Sequence, residues 1–163
     1  MAEIWTMGEL LCEIMRTQKN AELYEPGVFR RPYPSGAPAI CIDTVARLGH
    51  SAGIIGGVGQ DDFGKCIVDR LQKDGVDISH VIRSDEGSTA VAFVTYYSDG
   101  SRKFIFHIGN TPATKARAPE SAEVFADAKY FHVMGCSLMA SIPFGREIVK
   151  TMDLFRKAGA KIS

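Results

Sequence analysis

The alternation of apolar strand patterns with amphipathic helix patterns predicts an α/β fold built on parallel strands. Helix and strand patterns alternate in two stretches of the chain, at 37–48, 52–58 and 62–73 and again at 129–134, 143–157 and 160–163. Such alternation packs helices against a mostly parallel sheet. A third region, residues 88–108, has a β pattern without a helix, and it predicts a hairpin outside that core.

Proline, glycine and aspartate mark the ends of the two helices in the first half of the chain. Pro38 suits the first turn of the first helix, and Gly49 follows its last turn. Asp61 or Asp62 can cap the second helix, and Gly75 follows it. Before these helices, residues 4–15 form an apolar pattern that predicts an extended segment with a break at Gly8-Glu9. Residues 20–34 are predicted to form a loop or an irregular edge strand.

The 88–108 region predicts a hairpin because Asp99-Gly100 is a preferred two-residue turn. With that turn, Phe93 lies opposite Phe106 and Thr95 opposite Phe104. Both faces of the hairpin are then largely apolar, so we expect each face to be covered by the protein or by a partner.

Composition excludes several classes of function. The 163 residues carry a formal net charge of zero, which does not favour binding to nucleic acid or to an anionic membrane. No apolar run reaches the length of a membrane span, and the N-terminus lacks the pattern of a signal peptide. The four cysteines are scattered without a C-x-x-C pair, so we expect reduced thiols in a cytoplasmic protein.

Gly36-Ala37-Pro38 is the first candidate binding site, because a helix start exposes unpaired N–H groups and glycine allows a ligand to approach the backbone. The alternative is a plain turn between a strand and a helix.

A second glycine turn, at residues 56–59, does not match either of two nucleotide-binding sequence motifs. Asp62 stands where G-x-G-x-x-G requires glycine, and no Gly-Lys-Ser/Thr follows. We therefore interpret that turn as structural, and a Rossmann oxidoreductase is disfavoured.

Glu13 is the second candidate, because a carboxylate at the end of a strand can accept hydrogen bonds from sugar hydroxyls. The alternative is an exposed charge without a ligand. His107 and His132 lie in β segments without a carboxylate or cysteine at catalytic or metal-ligand spacing, which favours structural roles for both.

These motifs together resemble the N-terminal half of the ribokinase-like (PfkB) carbohydrate kinases. The motif sequences are most similar to those of 2-keto-3-deoxygluconate-kinase-like members. The resemblance rests on Gly8-Glu9-Leu10-Leu11, Gly36-Ala37-Pro38-Ala39, Ala46-Arg47-Leu48-Gly49, Val58-Gly59-Gln60-Asp61-Asp62-Phe63-Gly64 and His132-Val133-Met134-Gly135. It implies a Rossmann-like three-layer α/β/α core with a small β-sheet lid, truncated at the C-terminal side. Residues 1–163 would be the N-terminal part of one domain, with lid segments at about 9–15, 27–34 and 88–108.

The resemblance also implies where a sugar or sugar acid binds. The substrate would contact Glu13 and the backbone at Gly36 and Ala37. The lid would contribute Phe93, Phe106 and His107. Three positions depart from the family pattern: Ser35 replaces a glycine, Ile40 replaces a sugar-binding asparagine, and His107 stands near the place of an arginine.

The function implied is the sugar-binding half of a kinase that transfers a phosphoryl group from ATP to a sugar hydroxyl. In the family the catalytic aspartate and most of the ATP and Mg²⁺ contacts follow the region matched here, so we expect no catalytic, cofactor-binding or metal residue in this chain. We also expect a homodimer formed through the β lid. The alternative is a non-catalytic sugar-binding or dimerisation module derived from the same fold.

Overall fold

The computed structural model describes residues 2–163, with the side chain of Val124 excepted. In chain order its strands are β1 (Ile4–Met7), β2 (Leu11–Arg16), β3 (Phe29–Ser35), β4 (Ala52–Gly59), β5 (Val76–Ser84), β6 (Ala90–Tyr96), β7 (Arg102–His107), β8 (Tyr130–His132) and β9 (Lys161–Ile162). Its α-helices are α1 (Ala37–Arg47), α2 (Asp62–Lys73), α3 (Gly135–Met139) and α4 (Ile142–Lys157).

The larger sheet, the core sheet, has five parallel strands in the order β5-β4-β1-β8-β9. Successive strand residues point to opposite faces, so neighbours such as Ile54 and Ile55 belong to different apolar clusters. Ile54 packs with Ile42 of α1 and Ile67 of α2. Ile55 belongs to the cluster that contains Phe155 of α4. Helices therefore cover both faces, and the core has three α/β/α layers.

The second sheet, the small sheet, has four strands in the order β3-β2-β6-β7. β2 pairs with β3 in antiparallel and with β6 in parallel orientation, and β6 pairs with β7 in antiparallel orientation. Only residues 8–10 separate β1 of the core sheet from β2 of the small sheet. The end of the core sheet and one face of the small sheet consequently meet beside the start of α1.

The predicted register of the 88–108 hairpin is wrong by one residue. Phe93 lies opposite Ile105, and Phe106 lies opposite Ala92. The reason is a loop of residues 98–100, closed by the Tyr97 N–H donating to the Ser101 carbonyl at 2.9 Å, with Gly100 at a φ of +85°. A three-residue loop of this kind shifts the pairing by one residue, which turns every side chain of one strand to the other face.

Other elements agree with the sequence prediction or were absent from it. The helices expected at 37–48, 62–73 and 143–157 match α1, α2 and α4 to within one residue. β5 and α3 were not predicted: β5 mixes polar and apolar residues at the edge of the core sheet, and α3 has only five residues.

Candidate functional site

A cavity of about 340 Å³, the site cavity, lies between the small sheet and the start of α1. It combines the strand end at Glu13 with the helix start at Gly36. Its lining residues are Glu9, Leu11, Glu13, Ser35, Gly36, Ala37, Ile40, Ala92, Arg102, Phe104, Phe106 and Cys136. Five predicted site residues are among them: Glu13, Gly36, Ala37, Ile40 and Phe106.

Gly36 is required at the start of α1 by the chain itself. It has a φ of +104°, and a Cβ placed on it would lie 2.3 Å from the carbonyl oxygen of Glu9. Both observations exclude an ordinary L side chain at this position without rearrangement. The close approach that the sequence suggests for a ligand is therefore already made by the backbone between β1 and β2.

The Glu13 carboxyl group is half-buried on the face of the small sheet that borders the site cavity. Burial raises its pKa, against the opposing effects of the Ser35 hydrogen bond and the Arg102 charge. Ser35 Oγ donates to Glu13 Oε2 at 3.5 Å, which is a long contact. The carboxylate consequently keeps acceptor capacity for hydroxyl groups of a ligand.

Glu9 is a second carboxylate of the site cavity, and it is not among the residues predicted from the sequence for this site. Its side chain is buried, and it accepts hydrogen bonds from Ser137 Oγ at 2.5 Å and from Cys136 Sγ at 3.6 Å. These contacts join the link between β1 and β2 to α3. The only signal in the sequence was its place in the Gly8-Glu9 pair, where the strand pattern breaks.

Two stacked phenyl rings form an apolar part of the cavity wall. The centroids of Phe104 and Phe106 lie 5.1 Å apart with an interplanar angle of 19°. The Arg102 guanidinium lies 5.4 Å from the centroid of the Phe104 ring. Rings arranged in this way offer a flat surface to the C–H face of a sugar.

Phe93 and His107 do not line the site cavity, so the structure does not bring them together with Glu13. Glu13 lies opposite Ala92 in the pairing of β2 with β6, which places Phe93 on the other face of the small sheet. His107 shares that face through its pairing with Val91, and the two rings meet edge to face at 5.9 Å. They line a separate apolar groove of about 800 Å³, the outer groove, with Ile14, Phe63 and Val91.

The second glycine turn has the structural role expected for it. A Cβ on Gly57 would lie 2.2 Å from the carbonyl oxygen of Pro112, so that position is closed by the chain itself. Asp61 caps α2 by accepting from the Gly64 N–H at 2.8 Å. It also accepts from the N–H and the hydroxyl of Thr89, each at 2.7 Å. Although burial opposes the effect, these hydrogen bonds lower the pKa of Asp61.

Neither a metal-ligating cluster nor a membrane-spanning helix occurs among the described residues. No cluster of three or more His, Cys, Asp or Glu side chains is placed to hold a metal ion within this part of the chain. None of its helices combines the length and apolarity needed to cross a membrane.

Comparison with known proteins finds the same fold and related sequences. The model of the "pfkB family carbohydrate kinase" matches residues 1–161. Probable fructokinase-3 of Arabidopsis thaliana is 38% identical over 163 residues, which are 98% of this chain and 46% of that protein. Fructokinase of Salmonella typhimurium is 31% identical over 162 residues, which are 99% of this chain and 50% of that protein.

Solved structures agree with the sequence relatives. An E. coli protein with the provisional name Ribokinase II, solved in complex with ATP and Mg²⁺, is 40% identical with a TM-score of 0.88, over 100% of this chain and 52% of that one. Fructokinase of Xylella fastidiosa with bound ATP is 27% identical with a TM-score of 0.81, over 99% of this chain and 51% of that one. The chain thus spans about half the length of these relatives. Because the family model covers almost all of it and the ribokinase-like fold agrees, the chain belongs to the pfkB family of carbohydrate kinases.

Proposed function

We propose that this chain is the sugar-binding part of a kinase that transfers a phosphoryl group from ATP to a sugar hydroxyl. The observation that carries the proposal is the site cavity, where the Glu13 carboxylate and the start of α1 share one space with the stacked rings of Phe104 and Phe106. Carboxylates accept hydrogen bonds from hydroxyls, the first N–H groups of a helix lack partners within it, and aromatic rings cover C–H surfaces.

The charges of the cavity favour a neutral sugar over a sugar acid. Among the described lining residues, Arg102 is the one cation, and it shares the cavity with the carboxylates of Glu9 and Glu13. Two negative charges against one positive charge disfavour a ligand carboxylate through Coulomb repulsion. The relatives named fructokinases make D-fructose the first sugar to test.

The glycine turn at 56–59 favours no phosphate site, because a Cβ on Gly57 would meet the Pro112 carbonyl oxygen and one on Gly59 would meet the Asp61 carboxylate. Among the described residues, no cluster of three or more His, Cys, Asp or Glu side chains is placed to hold a metal ion. A structural relative binds both ATP and Mg²⁺. We propose that the parent enzyme binds them mainly through the half that its relatives have and that this chain does not span.

We propose further that residues 1–163 form the N-terminal part of one ribokinase-like domain, with the small sheet as its lid. The short link at residues 8–10 and the contact between Gly36 and the Glu9 carbonyl support a close union of lid and core. The outer groove leaves apolar side chains on the far face of this lid. Ile105, which is 43% exposed, lies on that face beside the groove, opposite Phe93. A homodimer in which two lids cover these faces would remove that surface from water.

A cytoplasmic location is the remaining part of the proposal. The four cysteines are free thiols, and burial raises the pKa of Cys12 to about 12. Thiols of this kind are compatible with a reducing compartment. Fractionation of cells that express a tagged chain would test the location.

Isothermal titration of the 163-residue chain with D-fructose and a panel of neutral sugars tests the binding function. We expect a saturable signal with at least one sugar, and we expect Glu13→Gln to weaken it about tenfold or more, because a hydrogen bond to a charged group contributes roughly 1.5–3 kcal/mol. Glu120→Gln is the matched control, because Glu120 is exposed and does not line the cavity. The absence of binding by any sugar, or equal loss in both variants, would overturn the proposal.

A further inference from the structure

The first turn of α1 presents carbon rather than polar side chains to the site cavity. Its residues are Ala37, Pro38, Ala39 and Ile40, and Gly36 before them makes no side-chain cap. Ala37 and Ile40 line the cavity. A ligand atom placed against this turn can therefore meet the backbone N–H of Ala37, but it meets no side-chain donor or acceptor.

Ile40 is the largest of these side chains and remains open to the cavity. It is 53% exposed although it is apolar. Its own N–H is used within the helix, because it donates to the Gly36 carbonyl at 2.9 Å. The residue can consequently offer a ligand only an aliphatic surface.

No neighbouring polar side chain of α1 compensates for Ile40. Asp43, one turn further along, does not line the site cavity. It lines a cavity of about 70 Å³ on the side of α2, which Ile40 also borders, and it forms an ion pair there with Arg70 at 3.5 Å. Among the described residues of the site cavity, the polar side chains Glu9, Glu13, Ser35, Arg102 and Cys136 belong to other elements.

A sugar hydroxyl placed against Ile40 would lose its hydration without gaining a partner. Such a loss disfavours a fully hydroxylated sugar in this orientation, whereas a carbon without a hydroxyl would bury apolar surface against the isoleucine. We propose that Ile40 is a specificity-determining residue that selects a deoxy sugar, with the deoxy carbon lying against the first turn of α1. This inference rests on the proposed sugar-binding function and deepens it.

The test compares D-fructose with its 1-, 3-, 4- and 6-deoxy analogues by isothermal titration of the 163-residue chain. We expect one deoxy position to bind about 5- to 100-fold tighter than fructose, because one buried hydroxyl no longer lacks a partner. Ile40→Asn introduces a donor and an acceptor, and Ile40→Thr introduces a hydroxyl while keeping a β-branched side chain. In both variants we expect the preference for that analogue to fall at least fivefold.

Two controls separate this inference from folding and from the proposed function. Leu48→Asn makes the same kind of change at the other end of α1, where Leu48 is 73% exposed and outside the cavity, and it should leave the ranking unchanged. Glu13→Gln should weaken all the sugars together. If sugars bind in a Glu13-dependent way but fructose remains the tightest ligand and the Ile40 variants keep the wild-type ranking, this inference is overturned while the proposed function stands. If no sugar binds, both are overturned.

Discussion

Replacement of Gly36 by alanine should destabilise the chain by about 2–6 kcal/mol through a contact within the protein. The first contribution is the positive φ of +104°, which costs a non-glycine residue about 1–3 kcal/mol. The second is the new Cβ at 2.3 Å from the Glu9 carbonyl oxygen, since overpacking against the backbone costs roughly 1–3 kcal/mol. The assay is urea unfolding followed by circular dichroism, which gives the free energy of unfolding.

Gly49→Ala provides the matched control for this prediction. Gly49 also has a positive φ, of +91°, but a Cβ there meets nothing within 4 Å. Gly49→Ala should therefore lose only the stability that corresponds to the positive φ, about 1–3 kcal/mol. We expect Gly36→Ala to be less stable than Gly49→Ala by about 1–3 kcal/mol, or roughly 2–12 °C in Tm for a chain of this size. Equal losses in the two variants would refute the role of the Glu9 contact.

Three further predictions concern the helix cap, the candidate acid and the chemistry. Asp61→Asn should cost about 1 kcal/mol or more, because it weakens the cap of α2 and the bonds to Thr89, whereas Asp62→Asn should cost little. The pKa of Asp61 is lowered in the folded state, so its carboxylate contributes its full stability above the unfolded pKa of about 3.9. This contribution is lost as the pH falls through the folded-state pKa. The acid unfolding of Asp61→Asn should therefore lack this loss of stability. Since the pKa of Glu13 is raised, sugar affinity should decline while the pH is still above 4.5, and a profile that stays flat down to pH 4.5 would count against its role. The 163-residue chain should show no turnover in a coupled ATPase assay across a sugar panel, and turnover above a no-enzyme control, with host kinases excluded, would contradict that.

The proposed dimer has its own test on the far face of the small sheet, beside the outer groove. Ile105→Asp places a charge on this exposed apolar face, so sedimentation velocity should show dissociation of a wild-type dimer. Lys65→Asp, on the exposed surface of α2, is the control. A monomeric wild-type chain would remove the basis for this interface.

Helix boundaries were predictable from the sequence because single residues determine them. Pro38 and Asp61 stand at the starts of α1 and α2, and the observed caps agree with them. Their effects are local and depend on a few neighbouring residues. The same local reasoning favoured a structural role for the glycine turn at 56–59, where Gly57 lies close to the Pro112 carbonyl.

The composition of the cavity wall was less predictable, because it depends on pairings between distant strands. A single added loop residue at 98–100 turns Phe104 and Phe106 to the face of Glu13, whereas a two-residue turn would place them on the face of Phe93. The Asp99-Gly100 pair is compatible with either loop length. Glu9 was not predicted as a residue of the cavity wall because its partner Ser137 belongs to a five-residue helix, which is too short to show a helical periodicity in the sequence. The sequence distance between these partners removes any local signal.

The bond between Glu9 and Ser137 also has a consequence for the order in which the protein is made. The two residues are 128 positions apart, so the second one leaves the ribosome long after β1 and β2 have been synthesised. Contacts of such long range close a large loop, and they form late because chain entropy must first be overcome. The carboxylate of Glu9 must therefore stay without its final partners until α3 has been synthesised. The site cavity reaches its complete form only after α3 has emerged from the ribosome.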